Sequence, residues 1–333
     1  SEGFLAEVFH PWVRWEGVLS GFYEFGLRPQ LLLISNHFGA TSMHDTEHIQ
    51  SECLCIVKMR HIQDKAMASQ TSLPHARGIL KQQKGFERFQ LFRQAPPADL
   101  VPWIENFWAV RWDLRDQPPY TQQILPHPNV GVSIEDKASR IVGPVSGIFS
   151  YTLEEQGVVF GTKFKPGAFV DLWNQPMSSL TDKEYPLEHL FGPRAHTLEA
   201  DVLSKDTEEE MTLLMADFWR SVLTSYDPII EDLCSLIDLL ANTPTLLKVE
   251  DLAAQTDRSV RSLQRLFKHY LGVSPKWAIK RYRLLEAAER IANAPDTDLS
   301  QLALELEYFD QAHFTRDFKS IIGVPPARYA SQL

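Results

Sequence analysis

Six identities recur at one fixed offset of 51 residues in the last third of this 333-residue chain. Arg265 is matched by Arg316, Phe267 by Phe318, Lys268 by Lys319, Gly272 by Gly323, Val273 by Val324 and Pro275 by Pro326. Such a repeat requires one supersecondary unit built twice. Each copy carries a short apolar helical stretch, 249–255 or 299–306, then a tight turn and a second helix opened by a capping residue, Ser259 or Asp310. Each second helix ends in Gly, where a left-handed C-cap is wanted, and a Pro follows to begin the next helix. The pattern predicts two helix-turn-helix motifs.

Between them, Ser274 caps a helix with Pro275 at its first position, running to about Ala294. At 1.5 Å per residue it spans about 28 Å, against roughly 34 Å between successive major grooves on one face of B-DNA. A helix of that length can carry two recognition helices into adjacent grooves. In the first recognition helix, Leu263, Leu266, Phe267 and Tyr270 fall toward the core, leaving Arg261, Gln264, Arg265 and Lys268 outward. Arg is shaped for bidentate contact to guanine and Gln to adenine. Residues 258–285 hold eight basic side chains (Arg258, Arg261, Arg265, Lys268, Lys276, Lys280, Arg281 and Arg283) and no Asp or Glu. In a chain of net charge −10 that is a local cationic stripe, as phosphate binding requires. In the second copy Phe314, Phe318 and Ile321 form the buried side, while Gln311, His313, Arg316 and Lys319 are candidates for the DNA face. Glu305, Glu307, Asp310 and Asp317 dilute its charge, and Arg316 has a competing role as partner of the neighbouring acids. The first motif is expected to dominate affinity.

The preceding region has a different texture. Short period-two runs at 122–125, 130–134, 140–142, 147–153 and 158–164 are punctuated by Pro126, Pro128, Gly143-Pro144, Gly157 and Pro166-Gly167. From 86 to 203 the pattern is strand-rich, with an amphipathic helix expected over 99–107, and the texture then turns helical. Thr207 and Glu210 fit a capping box, and a second helix follows Asp227-Pro228. Residues 1–66 show no sustained period. Met67-Ala-Ser-Gln reads as an initiator sequence, so residues 1–66 are either an upstream extension or a small, poorly patterned subdomain. The domains expected are thus 1–66, a 67–225 effector-binding or dimerisation domain, and a 226–333 DNA-binding domain. Apolar runs such as Leu31 to Ile34 are far below the ~20 residues of a membrane span, and none exceeds five residues. Three cysteines are too few for a disulfide framework and point to a reducing compartment, hence the cytoplasm. No ligand-spaced cluster calls for a metal or cofactor.

These motifs resemble the AraC/XylS family of bacterial transcription regulators. The residues that carry the resemblance are Val249-Glu-Asp-Leu-Ala, Ser259-Val-Arg-Ser-Leu-Gln-Arg-Leu-Phe-Lys, Leu271-Gly-Val-Ser-Pro, Tyr308-Phe-Asp-Gln-Ala-His-Phe-Thr-Arg-Asp-Phe-Lys and Gly323-Val-Pro-Pro-Ala-Arg-Tyr. The resemblance implies an α+β chain: a mainly β N-terminal sensory domain, then an all-α C-terminal domain with two helix-turn-helix motifs joined by a linker helix. It implies base reading by Arg261, Gln264 and Arg265 and by Gln311, His313 and Arg316, with double-stranded DNA as partner. A small-molecule effector, RNA polymerase and a second copy of the chain are further expected partners. Glu307 departs from the pattern, standing where the family usually has Gly in the second turn, so a strained or altered turn is expected there. Leu100-Val-Pro-Trp-Ile-Glu-Asn-Phe-Trp and Gly161-Thr-Lys-Phe-Lys-Pro-Gly resemble the sensory half of such regulators more weakly.

The alternative is a DNA-modifying or repair enzyme with an AraC-like targeting module. It needs a reactive Cys or a metal cluster. Cys234 alone lies in the well-patterned region, on an apolar helix, and no nucleophile signature is visible. The expectation is therefore a non-enzymatic regulator. His127, His189 and His196 read as ordinary core or surface histidines, and Arg111, Arg140 and Lys163 as cations that no pattern selects for an anionic ligand. The aromatics Trp103, Phe107, Trp108, Trp112, Phe160, Phe164, Phe169 and Trp173 read as core, with an effector pocket as the other reading.

Overall fold

The structure, a computed structural model, describes residues 78–80, 85–243 and 246–333. The readings of residues 1–66 lie outside them. Strands β1 (Gln90–Gln94), β2 (Ile104–Asp113), β3 (Tyr120–Ile124), β4 (Gly131–Ile134), β5 (Arg140–Val142), β6 (Phe149–Leu153), β7 (Gln156–Phe164) and β8 (Glu184–Pro186) come first. Six of them form one antiparallel sheet in the order β1-β2-β7-β4-β5-β8, and β3 pairs with β6 apart.

The central strand β7 explains the sheet's depth. The period-two run at 158–164 is not matched by alternating burial: Val159, Phe160, Gly161 and Thr162 are buried in succession, because β7 is covered on both sides. Gly161 pairs with Trp108, and a Cβ there would fall 2.1 Å from the Trp108 ring. Only glycine lets that indole lie flat across the strand.

The helix expected over 99–107 is instead one helical turn leading into a strand. Val101 donates to Pro97 O at 3.2 Å and Ile104 to Leu100 O at 3.0 Å, after which the backbone extends as β2. Leu100 and Ile104, four apart and both buried, imitate a helix face. The run Phe107-Trp-Ala-Val-Arg-Trp112 then prefers the pleated surface where bulky side chains pack across strands. Chain texture also changes earlier than expected. After β7 come α1 (Val170–Trp173), α2 (Glu188–Phe191) and α3 (Arg194–Leu203). The first two are a single turn each, too short for a period to register.

Helix α4 (Glu208–Val222) opens on the expected capping box, Thr207 and Glu210 exchanging hydrogen bonds of 3.3 Å. Its Trp219 is fully buried, donates to Thr162 Oγ1 at 2.9 Å and meets Phe164 edge-on. The helix is thereby fixed to the middle of the sheet. Then follow α5 (Ile229–Asn242), α6 (Val249–Gln255), α7 (Val260–Leu266), α8 (Pro275–Asn293), α9 (Leu299–Glu305), α10 (Gln311–Ile322) and α11 (Pro326–Ala330). The two motifs have separate hydrophobic cores. Leu233, Leu240, Leu263 and Phe267 anchor one, and Leu284, Ile291, Phe314 and Phe318 the other, with Trp277 of α8 packed against both. No helix among the described residues is long and apolar enough to cross a membrane.

Candidate nucleic-acid interface

The first motif runs α6, turn, α7. Ser259 caps α7 by accepting from the Ser262 N–H at 3.1 Å. Beyond Leu266 the helix widens into π turns over Phe267–Leu271, and Gly272 closes it at φ +73°. Leu263 and Phe267 have no exposed surface. With those two turned inward, Arg261, Gln264, Arg265 and Lys268 are all exposed. Their spacing of i, i+3, i+4 and i+7 places them along one face. Among the described residues, none of the three cations has a carboxylate partner.

The eight-cation stripe is narrower than its sequence. Arg258 pairs with Asp232 at 2.7 Å, and Lys280 with Asp317 at 2.6 Å. Arg283 lies 4.1 Å from the centre of the Tyr308 ring. Arg281 is wholly buried, donating from Nε to Pro126 O and from Nη2 to Leu125 O at 2.9 Å each. These four are taken up within the fold, two by carboxylates, one by backbone carbonyls and one by an aromatic face. Arg261, Arg265, Lys268 and Lys276 stay exposed.

The second motif, α9, turn, α10, repeats the frame with a different surface. Asp310 caps α10 by accepting from the His313 N–H at 2.6 Å, and Gly323 ends it at φ +81°. Phe314, Phe318 and Ile321 are buried; Gln311, His313, Arg316 and Lys319 are exposed. Gln311 accepts from the Ser300 hydroxyl at 3.1 Å, and His313 Nε2 lies 3.6 Å from Asp317. Asp317 is thus occupied by Lys280 and His313, and Asp310 by the cap. Arg316 has no ion-pair partner among the described residues, so the competing structural role for it falls away.

The turns differ by one residue. Asp257 (φ +49°) and Glu307 (φ +57°) both take the left-handed conformation. Each is followed by the same bond, Arg258 N–H to Ala253 O and Tyr308 N–H to Ala303 O, both 2.9 Å. These positions are 50 apart, whereas the caps Ser259 and Asp310 are 51 apart. The additional residue is Phe309, 90% exposed at the entrance to α10. Its signature in the sequence is the change of offset at that point, from 50 to 51.

The other candidates are absorbed by the fold. Arg111 pairs with Glu208 at 2.9 Å, Arg140 with Glu135 at 2.6 Å, and Lys163 with Glu105 at 2.7 Å. His127 Nδ1 meets the Tyr282 hydroxyl at 3.1 Å, His189 stacks near Trp173 and Tyr185, and His196 pairs with Glu188 at 2.8 Å. Phe107, Phe160, Phe164, Phe169 and Trp173 are buried in the core. Trp103 and Trp112 direct their indole N–H groups to the Ser225 and Glu154 carbonyls, each at 2.9 Å.

Residues 252–332 match a helix-turn-helix domain model, and residues 93–186 match a domain of unknown function, DUF6597. Over 83 residues the chain is 32% identical to the probable transcription factor PqrA of Proteus vulgaris, covering 25% of this chain and 67% of that protein. The chain belongs to the AraC/XylS family. It is a DNA-binding transcription regulator. The HTH-type transcriptional activator AarP of Providencia stuartii is 27% identical over 94 residues, covering 28% of the regulator and 69% of AarP. For the HTH-type regulator YkgA of Escherichia coli, 31% identical, the match spans 34% of that protein's length. Among solved structures, ToxT of Vibrio cholerae aligns over 74% of the regulator and 98% of its own chain, at 14% identity and a TM-score of 0.32.

Proposed function

We propose that α7 and α10 are the two DNA-reading helices, α7 the stronger. In this reading Arg261, Gln264 and Arg265 meet base edges, Lys268 meets phosphate, and Gln311, His313, Arg316 and Lys319 form the second contact set. The observation that carries it is the line of four exposed side chains on α7, one amide and three cations, with none of the cations ion-paired among the described residues. Helix α8 has the expected 19 residues, about 28 Å, which suits two adjacent grooves. The division of labour follows: residues 226–333 bind DNA, and residues 67–225 bind a small effector or a second copy of the chain. The regulator then acts on RNA polymerase in the cytoplasm. The β-rich half is placed to communicate, since its Leu125 and Pro126 carbonyls hold Arg281 of α8.

No catalytic role enters this reading. Burial pushes the Cys234 thiol up to about 11, so at neutral pH it is protonated and poorly nucleophilic. Alkylation of the Cys234 peptide is expected to stay slow below about pH 9. Rapid modification at pH 7 would revive the repair-enzyme alternative. The main test is selection of bound duplexes from a random-sequence pool by the full chain, followed by titration of Arg265→Ala. Recovery of a defined site whose binding depends on Arg265 is expected. Recovery of no consensus would contradict the reading.

A further inference from the structure

Both recognition helices end against one small piece of the β-rich half. At the C-cap of α7, the Gly272 carbonyl accepts from Thr181 Oγ1 at 2.6 Å. The approach is close enough that a Cβ on Gly272 would fall 2.5 Å from that hydroxyl and 2.8 Å from Met177 O. Asp182 follows in the left-handed conformation, φ +57°, which a short polar side chain tolerates. Its N–H donates to Pro144 O at 2.9 Å. Its carboxylate accepts two hydrogen bonds from Ser146, one from the backbone N–H and one from the hydroxyl, both 2.7 Å. The Ser146 carbonyl in turn accepts from the Trp277 indole at 2.7 Å, near the start of α8. Two residues on, Ile148 packs on the core of the second motif. Its Cδ1 lies 3.2 Å from where a Cβ on Gly323, the C-cap of α10, would stand. One continuous path thus joins the ends of α7 and α10 through Thr181, Asp182, Ser146 and Ile148.

The path matters because the two motifs do not share a core. Helix α8 connects them covalently, and a long helix bends gently. A second tie on the same side fixes the angle that one helix leaves loose. Gripping the C-terminal ends also leaves the N-terminal turns, with Arg261 and Gln311, free for the grooves, where recognition helices make their base contacts. We propose that Thr181, Asp182 and Ser146 are positioning residues for DNA binding: they strap the C-caps of α7 and α10 and so set the half-site spacing that the regulator accepts. This inference rests on the reading of α7 and α10 as the DNA-reading helices. Two binding modules joined rigidly gain affinity only when their separation matches that of their sites. A loosened strap therefore costs affinity for paired half-sites and relaxes the spacing rule, while each half-site alone is bound as before.

The test uses the full chain and a duplex selected from a random-sequence pool, in three forms: the recovered site, the same site with one base pair inserted or deleted between halves, and the α7 half-site alone. Thr181→Val removes the bond to Gly272. Asp182→Gly removes the carboxylate without straining the left-handed backbone, and Asp182→Asn keeps an acceptor for the Ser146 N–H. Thr181→Val and Asp182→Gly are expected to weaken binding to the recovered site by about five- to tenfold. They bring the altered spacings to near parity and leave half-site affinity within about twofold. Asp182→Asn restores most of the loss. Equal weakening on half-site and full site would mean a merely structural role and would overturn the proposal, as would an unaltered spacing preference. Arg265→Ala on the half-site probe checks the underlying reading separately: no loss there removes α7 as a reader, and the strap's role with it.

Discussion

The two helix-turn-helix motifs share a frame and differ in where they keep their acids. In the first, no acid stands on the recognition helix, and Asp232 of α5 neutralises Arg258, the residue before its cap. In the second, the acid is Asp317, on the recognition helix itself, holding Lys280 from α8 and His313 from its own face. The frame residues recur because each has one physical task. A cap satisfies the first N–H groups, a phenylalanine fills the core, and a glycine ends the helix at positive φ. The outward residues have no such shared task, so the copies diverge there. A repeated fold can therefore keep one frame and carry two different surfaces.

The largest effect expected is on Arg265. Arg265→Ala should cost about 1–3 kcal/mol of binding at the selected site and relax preference at one base position, measured by band-shift titration against single-base variants. Arg316→Ala should cost less. Equal losses would erase the proposed asymmetry. Next come the phosphate contacts. Lys268→Ala and Lys319→Ala should each weaken binding evenly across sequences and reduce the salt slope by about 1. A slope change for Lys268 alone would place the second motif off the duplex. The smallest effect concerns the turns. Glu307→Gly relieves a left-handed φ that a long side chain tolerates poorly, and should raise stability by up to about 1 kcal/mol in denaturant unfolding. Asp257→Gly should gain less, since Asp tolerates that conformation better. Destabilisation by Glu307→Gly would show that its side chain contributes more than the turn costs.

Much of the DNA-binding third was legible because its signals are local. Ser259, Ser274 and Asp310 cap the helices expected of them, Gly272 and Gly323 take positive φ, and Glu307 accepts the strained left-handed turn. The cationic stripe was half legible. Counting charges along 258–285 cannot tell Arg265, which faces outward, from Arg281, whose partners are carbonyls about 155 residues away in the chain. The β-rich half was legible where strands alternate and obscure where they do not. Leu100 and Ile104 share a helical spacing for one turn only, and α1 and α2 are shorter than any period. Pairings such as Lys163 with Glu105 or Thr181 with Gly272 are tertiary facts, and no spacing announces them.

The central claim is that α7 and α10 present their outward side chains to two successive major grooves. Selection of duplexes by the full chain, read out by sequencing and then by protection of individual phosphates, tests it most directly. The account predicts two short conserved blocks centred about one helical turn apart, roughly 10 base pairs, with Arg265→Ala degrading one block and Arg316→Ala the other. A single block insensitive to both substitutions, or no preference over scrambled competitor at low salt, would contradict it.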